Sequence, residues 1–260
     1  HEDRLDKPLH WRKPRRVFVN SMSDLFHPDV PDDFIASVFT TMANSPQHTF
    51  QVLTKRPQRM QRMLDNGWCW GCGTVVDDCT CDDQCLVTHF TEQDTPLPNV
   101  WLGVSVENPQ YADLRIPHLL ATPAAVRFVS AEPLLGPIDL RPWLRRINDE
   151  AREASNYEWT HDRIDWVIVG GESGPDARPM HPQWARAIRD GCTHWGVPFF
   201  FKQWGEWVPS SHYHHAWGNP RSLIVEPDGT TRALSNDALP SPDSAWMYRV
   251  GKKKAGRMLD

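Results

Sequence analysis

No stretch of this 260-residue chain offers the roughly 18 uninterrupted apolar residues that a membrane-crossing helix needs, and no secretory leader is visible, so neither an anchor nor a membrane partner is expected. A basic excess is also missing. The net charge of −5 excludes a global field for nucleic acid and leaves only a local patch to consider. An evenly spread set of cysteines is absent too. Five of the six lie between Cys69 and Cys85, which argues against a disulfide-stapled secreted protein and for a reducing, cytoplasmic setting. There is no G-x-S-x-G, no P-loop and no H-E-x-x-H, so the serine-hydrolase elbow, the Walker-type phosphate loop and the zincin helix are excluded. Tryptophan (13) and proline (23) are plentiful, and most of the tryptophans are read as packing groups at strand and loop ends. The chain begins at His1 rather than Met and stops at Asp260 just after a basic stretch, so both ends read as cut.

The most informative stretch is D-W-V-I-V-G-G-E-S-G-P, residues 165–175. Its apolar, β-branched run reads as a strand buried on both faces, as in a parallel sheet. The run ends abruptly in Gly170-Gly171-Glu172-Ser173-Gly174, where glycine allows a sharp bend and a carboxylate sits in its middle. The same pattern recurs. Val17–Val19 leads to Asn20, Ser21 and Asp24, and residues 49–53 lead to Thr54, Lys55 and Arg56. Val100–Val104 leads to Ser105 and Glu107, and Val126–Val129 to Ser130 and Glu132. Val197–Phe201 leads to Lys202, Gln203 and Glu206. Helices are predicted between these strands: 31–43, one opening at Pro57 with Met60 and Met63, 110–120, an irregular one within 137–163, and 182–194 with Trp184, Ile188 and Cys192 on one face. A small hairpin is expected at 224–232 around Asp228-Gly229.

Strand–helix alternation predicts a parallel α/β architecture, which a doubly wound sheet and a (β/α) TIM-type barrel both satisfy. Polar tips after all six strands favour a partial barrel, where every strand end converges on one mouth. Five carboxylates and three cations around one mouth would be costly without mutual pairing or a polar ligand. Taken singly, each tip has a plainer reading: a surface cation at Lys55 or Arg56, a helix cap at Asp24 or Glu132, a tight turn at Gly170-Gly171. Residues 1–207 are read as the barrel core, 66–98 as an insertion within it and 208–260 as a C-terminal extension. The loop histidines His212, His214 and His215 read as solvated.

The insertion holds Cys69-x2-Cys72-x6-Cys79-x-Cys81-x3-Cys85. A C-x-x-C knuckle with a second pair nearby suits tetrahedral zinc, which would stabilise a segment with little core of its own. Iron–sulfur ligation and metal-free thiols or disulfides are the alternatives.

The phrases V-F-V-N-S-M-S-D-L-F-H (17–27), V-L-T-K-R-P-Q-R-M (52–60), P-N-V-W-L-G-V-S-V-E-N (98–108), R-F-V-S-A-E-P-L-L-G-P-I-D-L (127–140), D-W-V-I-V-G-G-E-S-G-P-D-A-R-P-M (165–180), P-F-F-F-K-Q-W-G-E-W (198–207) and V-G-K-K-K-A-G-R-M-L-D (250–260) closely resemble the phage-associated three-Cys-motif family. That family is of unknown function, is found in phage and prophage genomes, and is similar to radical-SAM proteins of the spore-photoproduct-lyase branch. The resemblance implies a radical-SAM-like partial barrel with a 4Fe–4S cluster bound by three cysteines upstream of this segment, and S-adenosylmethionine (SAM) as cofactor. It makes Asn20, Ser21, Asp24, Ser105, Glu107, Ser130, Glu132, Gly170, Gly171 and Glu172 the residues expected around the cofactor. Lys55, Arg56, Lys202 and Gln203 are expected around an anionic substrate. By analogy with the lyase branch that substrate is a nucleic acid or nucleotide. The insertion cysteines differ in spacing and position from the cluster motif and do not stand in for it. Two rival readings stand beside this one. The first is a non-catalytic module that binds nucleic acid or a protein partner through the insertion. The second is a hydrolase or lyase that uses the carboxylates without SAM.

Overall fold

Each of the six apolar runs forms a strand of one sheet. The computed structural model describes residues 4–65, 68–69, 74–75, 96–145, 163–214, 221–233 and 241–260. In chain order the elements are β1 (Arg16–Val19), α1 (Asp32–Ala43), β2 (Thr49–Thr54), α2 (Pro57–Asp65), the two-residue strands β3 (Trp68–Cys69) and β4 (Thr74–Val75), β5 (Val100–Ser105), α3 (Pro109–Ala121), β6 (Val126–Ala131), α4 (Arg141–Leu144), β7 (Trp166–Gly170), α5 (Pro182–His194) and β8 (Phe199–Gln203). The parallel sheet has the order β1-β2-β5-β6-β7-β8. Each strand therefore pairs with the sheet strand before it in the chain. A doubly wound sheet would reverse direction at a switch point. No reversal occurs, so the mixed α/β fold is compatible with a partial β/α barrel.

Two compact units are distinguished. The described residues of His1–Val104, Arg115–Phe128 and Ile147–Arg163 make the first; those of Ser105–Leu114, Val129–Arg146 and Ile164–Asp260 make the second.

In the first unit, α1 buries Ile35, Val38, Phe39 and Met42, the helical stripe expected of it, and α2 buries Met60, Met63 and Leu64. Gly103 of β5 has no side chain because the Phe128 ring occupies its place: a Cβ there would lie 2.5 Å from ring carbons. The fully buried Arg127 closes the chain between α3 and β6. Its guanidinium donates to the carbonyls of Thr122 (2.5 Å), Ala124 (3.0 Å) and Leu119 (3.3 Å), so a charge inside the core meets acceptors that would otherwise be orphaned. β3 and β4 pair antiparallel. Of the insertion only this pair and residues 96–98 are described; Cys72, Cys79, Cys81 and Cys85 lie outside the described residues, as do His215 and positions 146–162 of the irregular helix expected within 137–163.

In the second unit, β7 is buried as its apolar run requires. α5 has the bounds expected, with Trp184, Ile188 and Cys192 inward. Burial pushes the Cys192 thiol up to about 12, which leaves it protonated and unreactive. Two expectations need correction. β8 starts at Phe199 rather than Val197: Pro198 has no N–H to give the ladder, and the Val197 N–H turns back to the Cys192 carbonyl at 2.8 Å. Lys202 and Gln203 are consequently the last residues of the strand and not a loop beyond it. The region after Val208 is also more than a hairpin. The strands β9 (Trp207–Pro209), β10 (Ser222–Val225), β11 (Thr231–Arg232) and β12 (Ala245–Arg249) form an antiparallel sheet in the order β11-β10-β12-β9. β9 and β11 are two or three residues long, and β12, A-W-M-Y-R, shows neither a continuous apolar run nor an alternation to read.

Candidate functional site

In the first unit one carboxylate ties the ends of β1 and β2 together. Asp24 accepts from the Phe26 N–H (3.0 Å), the Thr54 hydroxyl (2.7 Å), the Lys55 N–H (2.9 Å) and the Arg56 guanidinium (2.9 Å). Burial pushes its carboxyl up, but the hydrogen bonds from Lys55, Thr54, Phe26 and Arg56 outweigh that and hold it below its ordinary value. The loop that follows is pinned to α2 by Arg59, which donates to the carbonyls of His27 and Val30 and pairs with Asp32. Asn20 adopts a left-handed conformation (φ 54°), which asparagine tolerates better than most side chains. Ser21 and Lys55 are exposed and Arg56 is half-buried.

In the second unit the ends of β5, β6, β7 and β8 meet. The Val106 N–H donates to the Ser130 carbonyl (2.9 Å), the Leu135 N–H to the Glu107 carbonyl (2.7 Å) and the Leu134 N–H to the Gly170 carbonyl (2.9 Å). Ser105, Glu107 and Ser130 are 3, 6 and 5 % exposed, and the Ser105 hydroxyl reaches the Glu107 carboxylate at 3.4 Å. Glu132 stands at the centre. Lys202 Nζ lies 2.8 Å from its Oε2 and Gln203 Nε2 lies 3.0 Å from its Oε1; the same amide reaches the Ser173 hydroxyl at 3.4 Å. Gly170 is glycine because Glu132 packs on it: a Cβ would be 3.0 Å from the carboxylate. Half of Lys202 is in water, so its pair with Glu132 contributes about 1 kcal/mol at most.

The bend after β7 is locked against the end of β8. The Gly171 N–H donates to the Gln203 carbonyl (2.8 Å) and the Glu206 N–H to the Glu172 carbonyl (2.9 Å). Backbone meets backbone here. A Cβ on Gly171 would sit 2.0 Å from the Trp204 oxygen, and one on Gly205 (φ 81°) would sit 2.0 Å from the Glu172 oxygen. The Glu172 side chain is taken by Arg178, which donates from Nε (2.9 Å), Nη2 (2.7 Å) and its backbone N–H (2.7 Å). The Arg178 hydrogen bonds hold the Glu172 carboxyl below its ordinary value, and Glu107 adds to the negative field that raises Arg178.

A carboxylate with a lowered folded-state pKa contributes stability above its unfolded pKa and loses it as pH falls through the folded value. Glu172→Gln is therefore expected to lose about 1 kcal/mol at neutral pH, the arginine being largely exposed. The deficit should vanish as pH falls through the lowered folded-state value. Urea melts of the two proteins at both pH values check this, and a deficit independent of pH would refute the ion-pair account.

The six tips thus resolve into two sets. Asn20, Asp24, Thr54, Lys55 and Arg56 belong to the first unit; Ser105, Glu107, Ser130, Glu132, Gly170, Gly171, Glu172, Ser173, Lys202 and Gln203 belong to the second. Sequence reasoning passed over Arg178 and Arg249. The Arg249 guanidinium donates to the carbonyls of Gly174 (3.0 Å) and Pro175 and so fixes the far side of the bend. The spacing of Glu172 and Arg178 on either side of Gly174-Pro175 was the available signal, since a Gly-Pro turn can bring residues six apart together. Among the described residues no group of acidic, histidine and cysteine side chains could hold a metal ion, and no helix is long and apolar enough to cross a membrane. The residues expected around SAM offer carboxylates and hydroxyls, which suit its ammonium group and its ribose. Of those carboxylates, Glu132 is paired with Lys202 and Glu172 with Arg178.

Residues 1–260 match a family model described as Protein of unknown function (DUF5131). No curated protein and no solved structure matches the chain.

Proposed function

We propose, from the premise that the chain belongs to the DUF5131 family, that it is a radical-SAM-like enzyme of phage or prophage origin acting on a nucleic acid or nucleotide. The observation that supports this reading is the unreversed order of six parallel strands, each ending in polar residues. When bound, a 4Fe–4S cluster and SAM would supply radical chemistry. The chain's own residues do the rest. Glu132, fixed by Lys202 and Gln203, accepts an ammonium group, and Ser173 accepts or donates beside it. Ser105, Glu107 and Ser130 form the buried layer that sets the position of Glu132. Asn20, Ser21 and Asp24 stand at the end of the strand that the resemblance places next to the cluster loop. In the first unit Lys55 and Arg56, and in the second Lys202, are the cations available to substrate phosphates. Full-length protein, reconstituted anaerobically with iron and sulfide, is expected to show cluster absorbance and to release 5′-deoxyadenosine when reduced with SAM. The absence of both signals would overturn the reading.

One observation favours a second reading, a binding module on a barrel scaffold with zinc in the Cys69–Cys85 insertion. Asp24, Glu132 and Glu172 are each matched by a cation, as in a closed structural framework. That reading expects stoichiometric zinc in anaerobically purified protein. It also expects nucleic-acid or protein binding that survives Glu132→Ala and is lost when Cys69 and Cys72 become serine.

A further inference from the structure

The second unit contains a cavity of about 370 Å³ that borders the strand-end network at Arg178 and Leu135. Part of its lining is one face of the antiparallel sheet. Trp207 and Arg249 are directly paired across β9 and β12, and the Arg249 N–H donates to the Arg221 carbonyl just before β10, whose Leu223 also lines the cavity. The turn at 175–179 and Leu135 contribute more of it.

Its charges are unbalanced. Arg178 is claimed by Glu172, but Arg249 donates only to two backbone carbonyls. The Arg221 side chain has no hydrogen-bond or ion-pair partner among the described residues. Asp176 is the opposing carboxylate in the lining. Three guanidinium groups thus face Asp176 and the Glu172 already bound to one of them, in a chain whose net charge is −5. The larger groove of the same unit, about 1090 Å³ along α5, is different: both arginines in its lining are paired. Arg141 pairs with Asp139 and Arg186 with Asp260. His181 accepts from the Gln183 N–H at Nδ1 and donates to the Asp243 carbonyl from Nε2.

We propose that the smaller cavity binds a small phosphomonoester, with the phosphate held by Arg221 and Arg249 and the apolar part laid along Leu135 and Leu223. A tetrahedral dianion uses two guanidinium forks, whereas a monocarboxylate needs one. A concave site with an apolar lining and a few convergent polar groups is the ordinary form of a small-ligand pocket, and the volume falls in its range of about 300–1,000 Å³. The site uses no SAM and no cluster, so it stands independently of the enzyme reading above.

Isothermal titration of the purified chain tests it with adenosine monophosphate, inorganic phosphate and uncharged adenosine as probes. The monophosphate should bind, inorganic phosphate more weakly, and adenosine not at all. Arg221→Gln, on an exposed side chain, should leave the melting temperature unchanged and weaken monophosphate binding ten-fold or more, and Arg221→Lys should fall between. No monophosphate binding at millimolar concentration would overturn the proposal. So would equal affinity in Arg221→Gln, or adenosine binding as tightly as its phosphate.

Discussion

Gly171→Ala is expected to cost the second unit about 3 kcal/mol or more, enough to show as lost soluble protein or a sharply lowered melting temperature. The added methyl would meet a main-chain oxygen, that of Trp204, at 2.0 Å. A side chain in the way could rotate; a carbonyl in the way moves only with its strand. Two backbone hydrogen bonds, Gly171 to Gln203 and Glu206 to Glu172, hold those strands at that separation. Relief by displacement therefore stretches both bonds and pulls Trp204 from its buried seat, where its Nε1–H donates to the Met258 carbonyl at 2.7 Å. Gly174→Ala is the control. Gly174 has φ 118°, and an added methyl there would have nothing within 4 Å, so the substitution carries conformational strain alone. That strain costs about 1 kcal/mol. Thermal melts of both variants separate crowding from strain. Equal losses would show that the close approach of backbones does not matter.

Asp24→Ala should remove about 3–4 kcal/mol from the first unit, a large share of the roughly 5–15 kcal/mol that a folded domain commands. The carboxylate serves four donors, and its loss leaves the Phe26 and Lys55 N–H groups, the Thr54 hydroxyl and the Arg56 guanidinium without that partner. Asp24→Asn should recover only part of this, because the amide has one acceptor oxygen and turns a donor toward donors. The folded-state pKa of Asp24 lies below its ordinary 3.8. Its contribution is therefore complete above the ordinary value and disappears as pH falls through the lowered one, so wild type and Asp24→Asn should converge in strong acid. Urea unfolding across pH 7 to about pH 2 measures the convergence. A gap that stays constant with pH would mean that shape, and not charge, is what Asp24 supplies.

Asp24 also marks how far the sequence could be read. Its place at a strand end was legible, because V-F-V stops at Asn20 and the next apolar pair, Leu25-Phe26, is buried. Its partners were not: Thr54, Lys55 and Arg56 lie some thirty residues on, and no local pattern records which strand will be its neighbour. The same holds for Glu132, whose cation, Lys202, is seventy residues away. Periodicity identified the six parallel strands and four of the helices, since each buries a continuous run or a stripe. It failed on β9, which has three residues, and on β12, A-W-M-Y-R, which is neither a continuous apolar run nor an alternation. Gly170 and Gly171 were read as a flexible turn that could approach a ligand. What approaches them is the protein itself, Glu132 against one and the Trp204 carbonyl against the other. Glycine chemistry alone does not distinguish the two cases.

The strand order has a consequence for how the protein is made. In the sequence β1-β2-β5-β6-β7-β8 every strand pairs first with one that has already been synthesised, and none is left holding a gap for a strand still to come. A doubly wound sheet needs later strands on both sides of its first. Here the growing sheet exposes a single advancing edge, so a chain emerging at ordinary translation rates can add strands in turn. A premature stop would then release a shorter sheet with its earlier strands in native register.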